Sequence, residues 1–158
     1  MSQNIIPCQS ILSIDEIKNI QDLIDRNIEI NNAVQFISKE FQIQITSDPD
    51  LVKGFRRDCS NIPGNADSLC HPENEKECAI ILYYCHEANM PLTIAAGRTN
   101  LNGSATPKGG MVMSMSKMTY PKPKLDLKTK CISTPVGIYL EEMRNAALDQ
   151  SQKKLHFP

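Results

Sequence analysis

The sequence lacks an excess of charge of either sign. Its 158 residues hold 17 Lys and Arg against 18 Asp and Glu, a formal charge of −1. With no basic surplus to neutralise phosphates, nucleic acid is not expected as the main partner. Long apolar runs are missing too. The longest, "CAIILYYC", falls well short of the roughly 20 residues of a membrane-spanning helix. The opening "MSQNIIPCQS" has no basic region followed by an apolar core, so no secretory signal is expected. The six cysteines form no C-x-x-C pair, the usual first half of a structural zinc site. The neighbours Cys70-His71 and Cys85-His86 raise a metal hypothesis. Against it, Cys78 and Cys85 fall on the apolar face of a predicted helix, where cysteine behaves as a small hydrophobe. Reduced thiols in a cytoplasmic protein, with no metal site, are the expectation.

What is present reads as a helical front and a mixed back. Ser13-Ile14-Asp15-Glu16 is a capping box, followed by Ile17, Ile20 and Ile24 at helical spacing. A second helix is predicted near 32–41, with Val34, Ile37 and Phe41 on one stripe. This front is polar elsewhere and could be an appended arm. Residues 46–72 are rich in turn residues and read as irregular with short strands. Asn74 with Glu77 caps a helix that carries Cys78, Ile81, Leu82 and Cys85, and Asn89 is its expected stop just before Pro91. "LTIAA" reads as a short buried strand. "MVMSMS" alternates, with Met111, Met113 and Met115 opposed to Val112, Ser114 and Ser116. "LDLKTKCIS" alternates too, which predicts a strand over 125–133. A last helix is expected from near Val136, with Leu140, Met143 and Ala147 inward.

Four of the seven glycines fall in "GRTNLNGSATPKGG", residues 97–110, between two predicted strands. A Walker loop fails on spacing: the position needing the second glycine holds Asn102, or Lys108 in the other frame. A Rossmann fingerprint must open a helix, and none follows. The loop could point successive backbone N–H groups at an anion. It could equally be a long hairpin that binds nothing.

"PLTIAAGRTNLNGSATPKGGMVMSMSKM" resembles the first flavin-binding segment of the FAD-linked oxidases, the vanillyl-alcohol oxidase or PCMH-type family. The likeness is to members similar to D-lactate dehydrogenase and the glycolate oxidase flavin subunit. Thr99, Leu101, Gly103, Ala105, Pro107, Gly109, Gly110, Ser116 and Met118 fall in register with that pattern. "DPDLVKGFRRDCS" is similar to the family's "D-x-x-x-L-x-x-Y-x-x-D-x-S". "SLCHPENEKECAIILYYCHEANMPL" and "TPVGIYLEEMRNAALDQSQKKLHFP" match its helical segments. The resemblance covers residues 46–158.

The resemblance implies an α+β fold: the N-terminal part of a PCMH-type FAD-binding domain, a small mixed sheet with flanking helices over 46–158. A helical extension, 1–45, precedes it. FAD is the implied cofactor. Ala96, Gly97, Arg98, Thr99, Asn100, Leu101, Gly103, Ser104 and Ala105 would meet its pyrophosphate through backbone N–H groups and the Thr99, Asn100 and Ser104 side chains. Pro72 would lie near the adenine half. The implied activity is oxidation of a small 2-hydroxy acid or similar CH–OH donor by the intact protein. Two departures stand out. Ala95-Ala96-Gly97-Arg98 replaces the family's R-G-G-G. There Arg98 would cost on the order of 1 kcal/mol if its φ is positive, and its side chain could reach the pyrophosphate or turn to solvent. The sequence also stops at Pro158, before the family's second Gly/Asn-rich stretch and substrate domain. The expectation is therefore a fragment that a second polypeptide could complete, with no catalytic residue of its own. His71 and His86, the only mid-chain histidines, are not expected to act as bases. The alternatives are an inactive truncated remnant, or a small interaction module using the Met-rich strand without flavin.

Overall fold

A computed structural model describes residues 10–26 and 30–157. Helix α1 (Ile14–Asp25) starts where the capping box places it. Ser13 Oγ accepts the Glu16 N–H at 3.2 Å, and a Glu16 carboxylate oxygen accepts the Ser13 N–H at 2.8 Å. Helix α2 (Ile30–Phe41) follows. Ile20 and Leu23 of α1 and Ala33, Val34 and Ile37 of α2 are buried in one core with Cys70, Tyr83, Met111 and Met113. The expected arm is thus one wall of the core, because each amphipathic helix has to bury its apolar stripe. Two polar contacts lock α1 to helix α4 (Glu75–Glu87). Lys76 pairs with Glu16 at 2.6 Å, and Gln21 Nε2 donates to the Tyr83 hydroxyl at 2.8 Å.

The main sheet is built from β1 (Gln44–Thr46), β2 (Ser68–His71), β3 (Leu92–Ala95) and β4 (Met111–Ser114), in the order β1-β2-β4-β3. β1 runs antiparallel to β2, while β2, β4 and β3 are parallel. α4 is the crossover from β2 to β3, as parallel strands require. It is apolar on more than one side: Ala79, Ile80, Ile81, Tyr83, Tyr84 and Cys85 are all buried. Leu82, expected inward, is exposed instead. α4 ends as expected. Asn89 takes φ 49°, and the Asn89 and Met90 N–H groups return to the His86 and Cys85 carbonyls, a left-handed C-terminal cap.

The central strands β2 and β4 are buried on both faces, whereas β3, read as a buried strand, lies at an edge and leaves Ile94 54 % exposed. Cys70, Met111 and Met113 face the helices, while Leu69, Ala95 and Val112 meet Val52, Ala66 and Ala105 on the other side. The methionine stripe is therefore core, with Met111 0 % and Met113 2 % exposed, and offers no interaction surface. β4 ends at Ser114 in a tight turn over Met115–Lys117, short of the expected 111–116.

Three other expectations need correction. Residues 46–72 contain a short helix, α3 (Pro49–Lys53), capped by Asp48 with Pro49 at the start. The strand expected over 125–133 is a hairpin, β5 (Lys124–Asp126) and β6 (Cys131–Ser133). The Asp126 carboxylate accepts the Lys128 and Thr129 N–H groups and bends the chain between them. Helix α5 (Leu140–Gln150) begins four residues later than the expected Val136. Gln150 ties it to the hairpin through the Pro123 carbonyl and the Leu125 N–H, both at 2.8 Å. The α+β class holds.

Candidate functional site

The glycine-rich segment 96–110 joins β3 to β4, two neighbouring parallel strands. That geometry removes the hairpin alternative, since a hairpin reverses direction. Because β2, β3 and β4 run the same way, their C-terminal ends share one edge. His71-Pro72, Ala96-Gly97 and Met115-Ser116 emerge there, the edge where open α/β sheets place ligands. A cleft of about 280 Å³ lies at the opposite edge, beside Asp67, Pro91 and Gly110, where the segment rejoins β4.

A residue that sequence reading did not single out holds the loop. Asp58, 6 % exposed, accepts hydrogen bonds from the Ser60 N–H and hydroxyl and from Asn100 Nδ2 and the Ala105 N–H. The Ser60 hydroxyl does most to hold the carboxyl low, against the cost of burial. The Ser60 N–H, Asn100 and Ala105 add to it, bringing the pKa to about 2. An ionised Asp58 thus clamps 100–105 onto 58–60. The available signal was Asp58-Cys59-Ser60, the "D-x-S" of the resemblance and a common side-chain-to-backbone turn.

The clamp changes the roles of several expected ligands. Asn100 Nδ2 donates to Asp58 and Asn102 Oδ1, so both its N–H bonds are used inside the loop. The Ser104 N–H goes to Asn102 Oδ1 and the Ala105 N–H to Asp58. Ala105 is also buried. Gly103 takes φ 77°, and a Cβ there would sit 2.8 Å from Ile62 Cδ1. Its freedom serves the turn and the packing on Ile62. Pro72 lies at the right edge, with its side chain less than 2 % exposed.

Arg98 takes neither expected position. Its φ is 53°, in the left-handed region, so the cost of standing at a usual glycine applies. The guanidinium donates to the Gly54 and Arg57 carbonyls and stacks 4.3 Å from the Phe55 ring centroid. Those contacts offset a backbone cost of about 1 kcal/mol.

What remains open is the front of the loop. Ala96, Gly97, Thr99 and Leu101 are exposed. Among the described residues no hydrogen bond engages the N–H groups of Gly97, Arg98 or Thr99. A left-handed residue within such a run turns successive N–H groups toward one point, a backbone nest for an anion. At Gly97 an added Cβ would meet only Thr99 Cγ2, at 3.8 Å. The missing side chain serves no internal purpose and leaves the backbone open to close approach. These donors fit a pyrophosphate.

Comparison with known proteins agrees. The sequence profile of a family described as FAD binding domain matches residues 66–155. A D-lactate dehydrogenase of Archaeoglobus fulgidus is 31% identical over 77 residues, 48% of this chain and 17% of that protein. A xylooligosaccharide oxidase from Myceliophthora thermophila C1, solved with xylobiose, superposes with a TM-score of 0.56 at 16% identity, over 74% of this chain and 25% of its own. A glucooligosaccharide oxidase from Acremonium strictum gives 0.59 at 13% identity, with the same shares of each chain. The chain thus spans about a sixth to a quarter of the relatives it matches. Among the described residues no helix is long and apolar enough to cross a membrane. With a matching profile over more than half its length and this loop at the strand edge, the chain belongs to the FAD binding domain family.

Proposed function

We propose that the N–H groups of Gly97, Arg98 and Thr99 hold the pyrophosphate of FAD in a protein that oxidises a 2-hydroxy acid or similar CH–OH donor. The run of unengaged N–H groups beside an open glycine is the observation that carries this reading. Thr99 adds an exposed hydroxyl, and Ala96, Leu101 and Ser104 line the approach. Asn100, Gly103 and Ala105 shape the loop through Asp58 and Ile62. Arg98 contributes its N–H while its side chain braces the loop from behind. Pro72 supports the edge from within the core.

FAD, when bound, supplies acceptance of a hydride from the substrate carbon; the chain's task is to hold and orient it. The 2-hydroxy acid class rests on the likeness to D-lactate dehydrogenase, since the sugar oxidases share the fold alone. On this reading residues 46–158 form the flavin-binding unit and the helices before them buttress it. The exposed Tyr120, Leu127, Val136, Tyr139 and Leu140 are the surface that further polypeptide would cover. Buried free Cys70 and Cys85, both pushed to high pKa by burial, suit a reducing, cytoplasmic setting.

The test is a titration of the full chain with FAD, followed by flavin fluorescence, with ADP and riboflavin as competitors. ADP displaces FAD and riboflavin does not if the pyrophosphate is the anchor. Equal competition by riboflavin, or no FAD binding at any concentration, overturns the assignment.

A further inference from the structure

β3 is an edge strand, so the order β1-β2-β4-β3 gives the loop one neighbouring surface at the C-terminal edge: the ends of β4 and β2. A dinucleotide seated on residues 97–99 and lying along the sheet must cross that surface. Two side chains meet there. His71, the last residue of β2, places Nδ1 3.3 Å from Ser116 Oγ in the turn after β4. Ser116 Oγ is 3.1 Å from the hydroxyl of buried Ser114, which holds it in place. The imidazole meets Phe55 edge-on, 5.7 Å between ring centroids, and Arg98 lies over the same phenyl ring. A continuous row, Arg98–Phe55–His71–Ser116, therefore runs from the loop across both strand ends. Among the described residues no hydrogen bond engages His71 Nε2.

We infer that His71, oriented by Ser116, is a charge-dependent contact for the phosphate-bearing half of FAD, so that cofactor retention falls as pH rises. This rests on the loop reading above. The charges facing the imidazole are Lys117, paired with Glu73 at 2.8 Å, and Arg98 beyond Phe55; Gln44, its register partner on β1, is neutral. Burial, and then Lys117, hold the imidazole below its ordinary range in the free protein. The pyrophosphate of FAD, esterified at both ends, keeps its charges throughout the imidazole range and reverses the sign of the local field. Its binding therefore favours the imidazolium and takes up a proton. Affinity is full below the free-state pKa and is lost as pH rises through the bound-state pKa.

Dissociation constants of the full chain for FAD, measured from about pH 5.5 to about pH 8, test this across the imidazole range. Calorimetry in two buffers reads proton uptake directly. FAD is expected to bind about tenfold more weakly at the alkaline end, one unit of pKa shift being a tenfold change, while riboflavin shows no such change. His71→Gln should flatten the profile at the weak level and His71→Arg at the tight level. Ser116→Ala, at an exposed position that leaves the core intact, should make it shallower. FAD binding with no pH dependence and no buffer-dependent heat overturns this inference and leaves the loop reading standing. Absence of FAD binding at every pH overturns both.

Discussion

Gly109 and Gly110 are adjacent, both have positive φ (90° and 67°), and both lie at the end of the loop, yet their substitutions should differ sharply. An alanine at Gly109 meets nothing within 4 Å. It bears only the left-handed cost, about 1–2 kcal/mol. An alanine at Gly110 bears the same cost and also brings its Cβ to 2.0 Å from the Pro91 carbonyl oxygen. That carbonyl accepts the Met111 N–H at 2.9 Å, at the point where β3 and β4 begin to pair. Moving it forfeits a net hydrogen bond worth about 1 kcal/mol. The same shift disturbs Gly110, whose N–H and carbonyl are bonded to Asp67 at 2.8 and 2.7 Å. The total for Gly110→Ala is about 3–5 kcal/mol. For a chain of this length that lowers Tm by roughly 10 °C, against roughly 4 °C for Gly109→Ala. Thermal and urea unfolding followed by circular dichroism would read both. Equal losses at the two positions would refute the role assigned to the Pro91 carbonyl, and with it the close parallel start of β3 and β4.

Two further outcomes follow from the loop's clamps. Asp58→Asn sets an amide NH₂ against the donors Asn100 Nδ2 and the Ala105 N–H, so residues 100–105 should exchange amide hydrogens faster than in the parent. The stability that ionised Asp58 provides is full above the ordinary carboxylate range, about pH 4, and is lost as pH falls through its folded pKa of about 2. The parent and variant curves should therefore converge in acid, and a gap that persists undiminished would contradict the clamp. At Arg98, alanine loses the contacts with Gly54, Arg57 and Phe55 and keeps the left-handed cost, whereas glycine loses the contacts and is relieved of it. Arg98→Gly should be the more stable of the two by about 1 kcal/mol in urea denaturation; the reverse order would mean that φ is not positive there.

Local chemistry is what the sequence made readable. Ser13 with Glu16, Asn74 with Glu77, and Asn89 as a left-handed stop all act within five residues, and all three lie where the sequence placed them. Arg98 stands at a usual glycine, which made the cost of a positive φ there legible. Its destination was not, because the Gly54 and Arg57 carbonyls lie more than forty positions away in the chain. The same distance hid the Asp58 clamp. Alternation located β4 but carries no strand direction, so a long hairpin stayed open as an alternative to an anion-binding loop. It also misled at 125–133, where apolar Leu125, Leu127 and Cys131 keep their spacing through a turn made by Asp126. Burial of Pro72 depends on packing between elements, which no local pattern encodes.

The central claim is that Gly97 is a glycine for the sake of FAD and not for the fold, and one substitution separates the two. Gly97→Leu adds a side chain where only Thr99 Cγ2 lies within 4 Å, at 3.8 Å, and where φ lies outside the left-handed range. The measurement is the FAD dissociation constant of the variant beside its Tm. The account predicts a Tm within a few degrees of the parent, at the scale of about 1 kcal/mol or less for an exposed site. It also predicts at least about a tenfold loss of FAD affinity, the scale of about one charge-assisted hydrogen bond. FAD bound as tightly as by the parent, in a variant that folds normally, would contradict it.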